Sequence, residues 1–326
     1  MSRQAKLSDP SVRRANAVGM SSTAGAGADS IRAVQLPVRF VRGGWPRFVE
    51  RLLGRFFWAD PSVVVRDDAP PEQFRQAMAA FDAGRTIKIT GTRRHAAADA
   101  LLIEHVDLTG ATIVDLGASD GSTSVNLVRA IPQRFAAFVI ADLYLTMSCR
   151  TLRRHRLFYD PQGVCVLVVG RRWVSWPSRS RLVRLLDAPM IRRAEGRPAR
   201  EVLLLNPETR ALLASDDRIR CEVHDAFEPW PEPHPDVIKV ANLLRRLYFS
   251  DDEIVRGLRA IHASLDDGGH LLMVDNPRAN VRPRAGLYRR TPSGFAEVAI
   301  VEAEPEVHAL ILGLTVEEAG TGATSI

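Results

Sequence analysis

The stretch from Thr112 to Ser124, TIVDLGASDGSTS, constrains this chain more than any other. It reads as a short apolar strand, a turn with glycine at 117 and 121, and a helix start capped by Ser122 or Thr123. Glycine permits positive-φ backbone and close approach of another group, and a helix start offers unpaired N–H groups. A polar partner is therefore expected at this turn. Strand and helix patterns alternate from here on: helix Ser122 to Ala130, strand Phe135 to Ala141, strands Ile219 to His224 and Val237 to Ala241, helix Asp251 to Leu265, strand His270 to Val274. Alternation of this kind predicts an α/β, Rossmann-like fold, a mostly parallel seven-stranded sheet with helices on both faces. Two β-like runs, Phe295 to Val301 and Val307 to Leu312, predict a C-terminal antiparallel hairpin.

Other segments attach to this core. Residues 1–30 are rich in Ser, Ala, Gly and Arg without apolar periodicity and are expected to form a disordered tail. Residues 31–105 read as a helical region. Its first helix, Trp45 to Trp58, carries Trp45, Phe48, Val49, Leu52, Leu53, Phe56 and Phe57 at helical spacing, with Arg47, Arg51 and Arg55 off that stripe. Such a stripe either docks on its own domain or seats in a membrane interface. Further helices are predicted over Pro71 to Ala83 and Ala96 to Glu104. The domain proper spans residues 106–326, with a basic insertion at 146–205 that follows the second strand and holds a hairpin turning at Asp160-Pro161-Gln162-Gly163.

Charge is concentrated in that insertion. The whole chain of 326 residues has a formal net charge of +6, yet Arg150 to Arg200 alone holds thirteen arginines against Asp160, Asp187 and Glu195. A field of that sign attracts phosphates, nucleic acid, acidic small molecules or anionic membrane, unless it is only a solvated arginine-rich cap. Phe158, Tyr159, Trp173 and Trp176 interleave with the arginines, which keeps a nucleic-acid surface open. No run approaches the roughly 20 apolar residues of a membrane span, so a cytoplasmic address is expected. Cys149, Cys165 and Cys221 are too widely spaced for a metal or redox pair and read as buried thiols.

Around the glycine turn the residues narrow the ligand. Ser119 stands where a dinucleotide fingerprint needs its second glycine, and Asp120 would set a negative charge beside a pyrophosphate, which argues against a nicotinamide cofactor. Asp115 inside an apolar strand is costly unless a cationic or hydrogen-bonding group offsets it. Asp142 ends the second strand 21 residues after Gly121, where α/β nucleotide folds place a carboxylate for ribose hydroxyls; the alternative is a residue that merely starts a loop. His224-Asp225-Ala226-Phe227 follows the third strand, as a nucleobase contact or as a simple turn.

Taken in order, Val114 to Gly121, Ala141-Asp142, His224 to Phe227 and Val237 to Asp275 resemble class I S-adenosylmethionine-dependent methyltransferases over about Ala98 to Leu314. The resemblance implies that Asp115, Gly117, Ser119 and Gly121 line the methionine end of S-adenosylmethionine. Asp142 would then hold the ribose, Asp225 with Ala226 or Phe227 the adenine, and Asn242 would face the substrate. It implies no metal and no fixed catalytic base, Tyr144, Asn242, Arg245 and Tyr288 being only candidates near strand ends. The fourth strand lacks the Asn/Asp-Pro-Pro-aromatic signature of adenine amino methylases, and no Pro-Cys pair serves a cytosine mechanism. Methyl transfer to oxygen or nitrogen of a small acceptor, an acidic one where the arginines contact it, is thus the leading expectation. An RNA methyltransferase, or a non-catalytic module binding nucleic acid or an anionic surface on the same fold, is the alternative.

Overall fold

The computed structural model describes residues 36–83, 86–87, 95–275 and 283–317. All elements below lie in one unit, Pro37–Ile326. The expected tail at 1–30 lies outside the described residues.

In chain order the first elements are β1 (Val38–Val41), α1 (Arg47–Leu52), a 3-10 turn at Gly54–Phe56, β2 (Phe57–Trp58), a 3-10 turn at Pro61–Val65, α2 (Pro71–Met78), β3 (Asp82–Ala83) and β4 (Thr86–Ile87). There follow α3 (Ala96–His105), β5 (Ala111–Leu116), α4 (Ser122–Ala130), β6 (Phe135–Asp142), β7 (Thr146–Leu152), β8 (His155–Tyr159), β9 (Cys165–Val169) and β10 (Trp173–Ser175). The chain continues through α5 (Arg181–Glu195), β11 (Ala199–Leu203), α6 (Pro207–Ser215), β12 (Ile219–Val223), β13 (Val237–Ala241), α7 (Asp251–Ala263), β14 (His270–Asp275), β15 (Arg284–Thr291), β16 (Gly294–Glu302) and α8 (His308–Leu312).

Seven strands form the main sheet in the order β12-β6-β5-β13-β14-β15-β16. The first five are parallel, and β15 and β16 add to β14 as an antiparallel pair. The order reverses between β5 and β13, which makes the crevice beyond their carboxyl ends the place where such a sheet receives a ligand. The central strands β5, β13 and β14 are buried on both sides because neighbouring residues feed different cores. Ile113 joins a cluster with Leu101 and Leu102 of α3 and Leu127 of α4, whereas Val114 joins one with Ile254, Leu258 and Ile261 of α7. Helices thus cover both faces, as the apolar strands require.

The C-terminal hairpin is found, with a different pair of strands. β16 takes up the expected Phe295 to Val301, but its partner is β15, and the run after it is α8. Val307 and Ile311, four apart, are both buried in the second cluster, and that period-3.6 contact decides helix over strand.

A second seven-stranded sheet, β11-β7-β8-β9-β10-β1-β2, was not legible as such. The insertion contributes five of its strands, and the expected turn is present, with Gly163 at φ 78° and its N–H donating to Asp160 O at 3.0 Å. β1 and β2 come from the segment read as purely helical; β1 pairs with β10 across more than 130 residues. This pairing also shortens the expected Trp45 to Trp58 helix. Phe57 and Trp58 are taken into the sheet against Phe40 and Val41, and α1 stops at Leu52 just before Gly54. On one face of the sheet α2 buries Phe74, Ala77 and Met78 against Phe158, Leu167 and Val174. Burial of Phe74 and Met78 contributes about 1.5–3 kcal/mol each. α5 covers the other face, where Met190, Ile191 and Ala194 pack on Leu157 and Val168, so every residue of β9 is buried.

Candidate functional site

β5 and β6 are neighbours in register, Leu116 opposite Ala141, so the glycine turn and Asp142 emerge side by side at the carboxyl edge. Gly117 N–H and Ala118 N–H both donate to Ala141 O, at 2.8 and 3.0 Å, and Ser119 N–H donates to Asp142 Oδ2 at 2.8 Å. The turn is folded onto the end of the second strand. Gly121 N–H donates to Ala118 O and Ser122 N–H to Asp120 Oδ1, both at 3.0 Å. The N–H groups of Gly117, Ala118, Ser119, Gly121 and Ser122 are thus satisfied within the chain, and Asp142 is a polar partner of the turn; the helix begins at Ser122 behind Gly121, without the expected side-chain cap.

Both glycines are required by the backbone and by what lies beside them. Gly117 and Gly121 have φ of 74° and 73°. A Cβ on Gly117 would lie 2.6 Å from Leu243 Cδ2, and one on Gly121 2.6 Å from Thr209 Cγ2. Thr209 comes from α6, and its hydroxyl donates to Asp120 O at 3.1 Å while Asn206 N–H donates to the same carbonyl at 2.9 Å. The returning end of the insertion is thus clamped on the turn. Ser119 takes φ 61° without being glycine, a left-handed position that costs about 1 kcal/mol or more.

Asp115 is 1% exposed, and Ser124 Oγ donates to its Oδ2 at 2.7 Å. In register opposite it on β13 stands Lys239, wholly buried, whose Nζ lies 2.6 Å from Asp99 Oδ1 on α3. Burial pushes the Asp115 carboxyl above its ordinary range, against the pull of Lys239 and Ser124. For Lys239 burial acts downward, but the Asp99 and Asp115 carboxylates outweigh it and hold the ammonium above its ordinary value. Part of the compensation expected of a ligand is supplied inside the protein, while Asp115 Oδ1 is buried without a hydrogen-bond partner. Sequence reading missed Lys239 and Asp99, although a lysine inside Val-Ile-Lys-Val-Ala and an aspartate inside Ala-Ala-Ala-Asp-Ala-Leu-Leu were visible as lone charges in apolar runs.

Asp142, 9% exposed, accepts at Oδ2 from Ser119 N–H and at Oδ1 from Tyr144 N–H, 2.9 Å. Both carboxylate oxygens of Asp142 are thus oriented by backbone N–H groups at the carboxyl edge of the sheet. At the neighbouring strand end, His224 N–H donates to Asp142 O at 3.3 Å, and Asp225 Oδ1 caps the following turn by accepting from Phe227 N–H at 3.0 Å. Ala226 is buried in the second core. The Phe227 ring packs on Phe249 at 5.1 Å and carries Arg256 of α7 over it at 4.7 Å, so this ring is tied to α7.

Asn242 ends β13 at φ 57°, and its Nδ2 lies 3.3 Å from His95 Nε2 at the start of α3. Beside it Arg245 Nε is paired with Asp275 Oδ1 at 2.7 Å, at the end of β14. Tyr144 sits at the same edge, next to Asp142. Tyr288 does not: it faces Leu271 at the amino end of β14, wholly buried, with its hydroxyl 2.8 Å from His308 Nδ1. Among the described residues no cluster of three His, Cys, Asp or Glu could hold a metal ion, and no helix is long and apolar enough to cross a membrane.

No family model matches the chain, and no curated protein matches it in sequence. Solved structures do. Human N-acetylserotonin methyltransferase in complex with SAM is 14% identical at a TM-score of 0.32, over 77% of this chain and 48% of that one. The N-methyltransferase NodS of Bradyrhizobium japonicum, in complex with S-adenosyl-L-homocysteine, is 11% identical at 0.31, over 56% and 62%. The S-adenosylmethionine-dependent methyltransferase SibL is 17% identical at 0.29, over 56% and 36%. Less than two thirds of each of these proteins is spanned. The α/β fold rests on the chain's own strand order, and the solved proteins it resembles in part include S-adenosylmethionine-dependent methyltransferases.

Proposed function

We propose that the chain is an S-adenosylmethionine-dependent methyltransferase that acts on oxygen or nitrogen of a small acceptor. The observation that supports this most is Asp142, a carboxylate fixed at the end of β6 by Ser119 N–H at 2.8 Å, beside the glycine turn and one strand from the order reversal between β5 and β13. A carboxylate at the end of this strand is of the kind that accepts from ribose hydroxyls. Asp225 and the backbone of Ala226, one strand further out, suit the edge of an adenine.

At the methionine end the fit is different from the expected one. Asp115 is tied to α4 through Ser124 and faces Lys239 in register, so it acts first by shaping the turn, with its Oδ1 left without a hydrogen-bond partner. S-adenosylmethionine, when bound, supplies an electrophilic methyl group. What the chain must add is placement of the acceptor and exclusion of water. Asn242, with His95 against it and the Arg245–Asp275 pair next to it, stands where an acceptor would be held.

A second reading, a nucleotide-fold module without turnover, draws on Leu243 and Thr209, which fill the spaces at Gly117 and Gly121. Calorimetry separates the two. The methyltransferase reading expects saturable binding of S-adenosylmethionine and of S-adenosylhomocysteine, weakened at least tenfold by Asp142→Ala. Absence of heat with both, or equal affinity in the variant, would favour the second reading.

A further inference from the structure

Four arginines of the basic insertion, with Arg42, meet at one end of the second sheet. Arg153 and Arg154 form the tip of the β7–β8 hairpin, Arg156 is the second residue of β8, Arg171 lies in the β9–β10 turn, and Arg42 follows β1. Together with His155, Ser62, Thr151 and the backbone of Gly43 and Gly44 they line a cavity of about 430 Å³. Its single carboxylate, Asp60, is occupied: Ser62 N–H and Ser62 Oγ donate to it at 2.9 and 2.7 Å. Among the described residues no carboxylate pairs with Arg153, Arg154, Arg156 or Arg171. Five guanidinium groups around one cavity repel one another, and a bound polyanion removes that cost. Arg153, moreover, sits at φ 55°, a position that suits glycine better than arginine. β7 carries the chain about 20 Å from Thr146 to Leu152, so the cavity is remote from Asp142.

The helix next to this cavity is of a different kind. Gly43 N–H donates to Glu50 Oε1 at 2.7 Å, which ties the cavity rim to α1. No residue of α1 is buried, and Phe48 and Leu52, one turn apart, are 72% and 82% exposed, flanked by exposed Arg47 and Arg51. α5 lies over the face to which Trp173 points. Phe40, the cross-strand partner of Trp173, points to that face too and supports Trp45 at a centroid distance of 5.0 Å. On α5, Leu182, Leu185 and Leu186 are also exposed, at 67%, 72% and 72%, beside exposed Arg181 and Arg184.

We propose that this side of the second sheet docks on an anionic membrane, the arginine cavity taking a phosphate-bearing lipid headgroup while Phe48 and Leu52 enter the interface beside it. Arginines flanking exposed apolar side chains are the composition of an interfacial helix. Nucleic acid fits less well, because the aromatic residues that would stack on bases are spent in the fold. Phe158 and Tyr159 are buried, Trp176 is buried with its Nε1–H donating to Ala80 O at 2.7 Å, and Trp173 lies against His155. The proposal is independent of whether the chain binds S-adenosylmethionine.

The test is flotation of the full chain with vesicles of phosphatidylcholine alone and with about one third phosphatidylglycerol, alongside calorimetry with glycerol 3-phosphate. Binding to the anionic vesicles should exceed binding to neutral ones at least tenfold. Phe48→Ser with Leu52→Ser, both on exposed positions, should lose the vesicles and keep glycerol 3-phosphate. Arg153→Gly with Arg171→Ala, which spares the turn geometry, should weaken both at least tenfold. Equal binding to neutral vesicles would overturn the proposal, as would vesicle binding untouched by either double variant. So would a parent chain that binds glycerol 3-phosphate but no anionic vesicles, which marks a soluble phosphate ligand, or a single-stranded RNA 20-mer that outcompetes the vesicles.

Discussion

Lys239 Nζ lies 2.6 Å from Asp99 Oδ1, an ion pair between β13 and α3 with both side chains sealed from solvent. Asp115 stands opposite Lys239 in register, so one ammonium serves two carboxylates beneath the glycine turn. Removing one partner of a buried pair leaves an uncompensated charge, and Lys239→Met is expected to cost about 3–5 kcal/mol in urea unfolding. Replacing the pair together, Lys239→Met with Asp99→Leu, should recover a large part of that loss. A single variant within about 1 kcal/mol of the parent would mean that the pair is not sealed as described.

Gly121 tests whether the turn is built for the fold or for a ligand. Its φ of 73° and the 2.6 Å approach of Thr209 Cγ2 predict that Gly121→Ala destabilises by about 2 kcal/mol or more, without any cofactor present. Adding Thr209→Ser removes the methyl group and keeps the hydroxyl on Asp120 O, so part of the loss should return. Additive costs in that double-mutant cycle would show that the two side chains do not meet.

The parallel core was legible because its signals are local. Apolar runs such as Val237 to Ala241 and the glycine turn each fix one element within a dozen residues. What escaped depends on distant partners. Nothing near Val38 to Val41 announces a strand, because its partner β10 lies more than 130 residues on, and Phe57 and Trp58 leave a helical stripe only because β1 is beside them. Asp142 was singled out from spacing, but its hold on Ser119 N–H could not be read, since that bond exists only once β5 and β6 pair. Asp115 was singled out as a charge inside an apolar strand, but its neighbour Lys239 was not, because it is 124 residues away in sequence.

Titration of buried groups bounds the pH range in which this fold is most stable. His262 is 2% exposed, its Nε2 lies 2.8 Å from Thr291 O, and burial holds its pKa below the ordinary 6.5. His270 is lowered by burial as well. The unfolded chain therefore binds these protons first, so stability is full above about pH 6.5 and falls as pH drops below it. His262→Gln should flatten the slope of the urea midpoint between pH 7 and 5.5. On the alkaline side burial pushes the Cys165 thiol up to about 12 and the Cys149 thiol up to about 11, from an ordinary 9.0. A raised folded pKa means that the folded state keeps its proton longer. The stability from these thiols is whole below about pH 9 and lost as pH rises through their folded values. Since the thiolate is the reactive form, Cys149 and Cys165 should also stay silent toward a disulfide reagent at pH 8 until urea is added. Rapid reaction of either thiol in native protein would show that β7 and β9 open to solvent, against the burial of both side chains between the helices and the sheet.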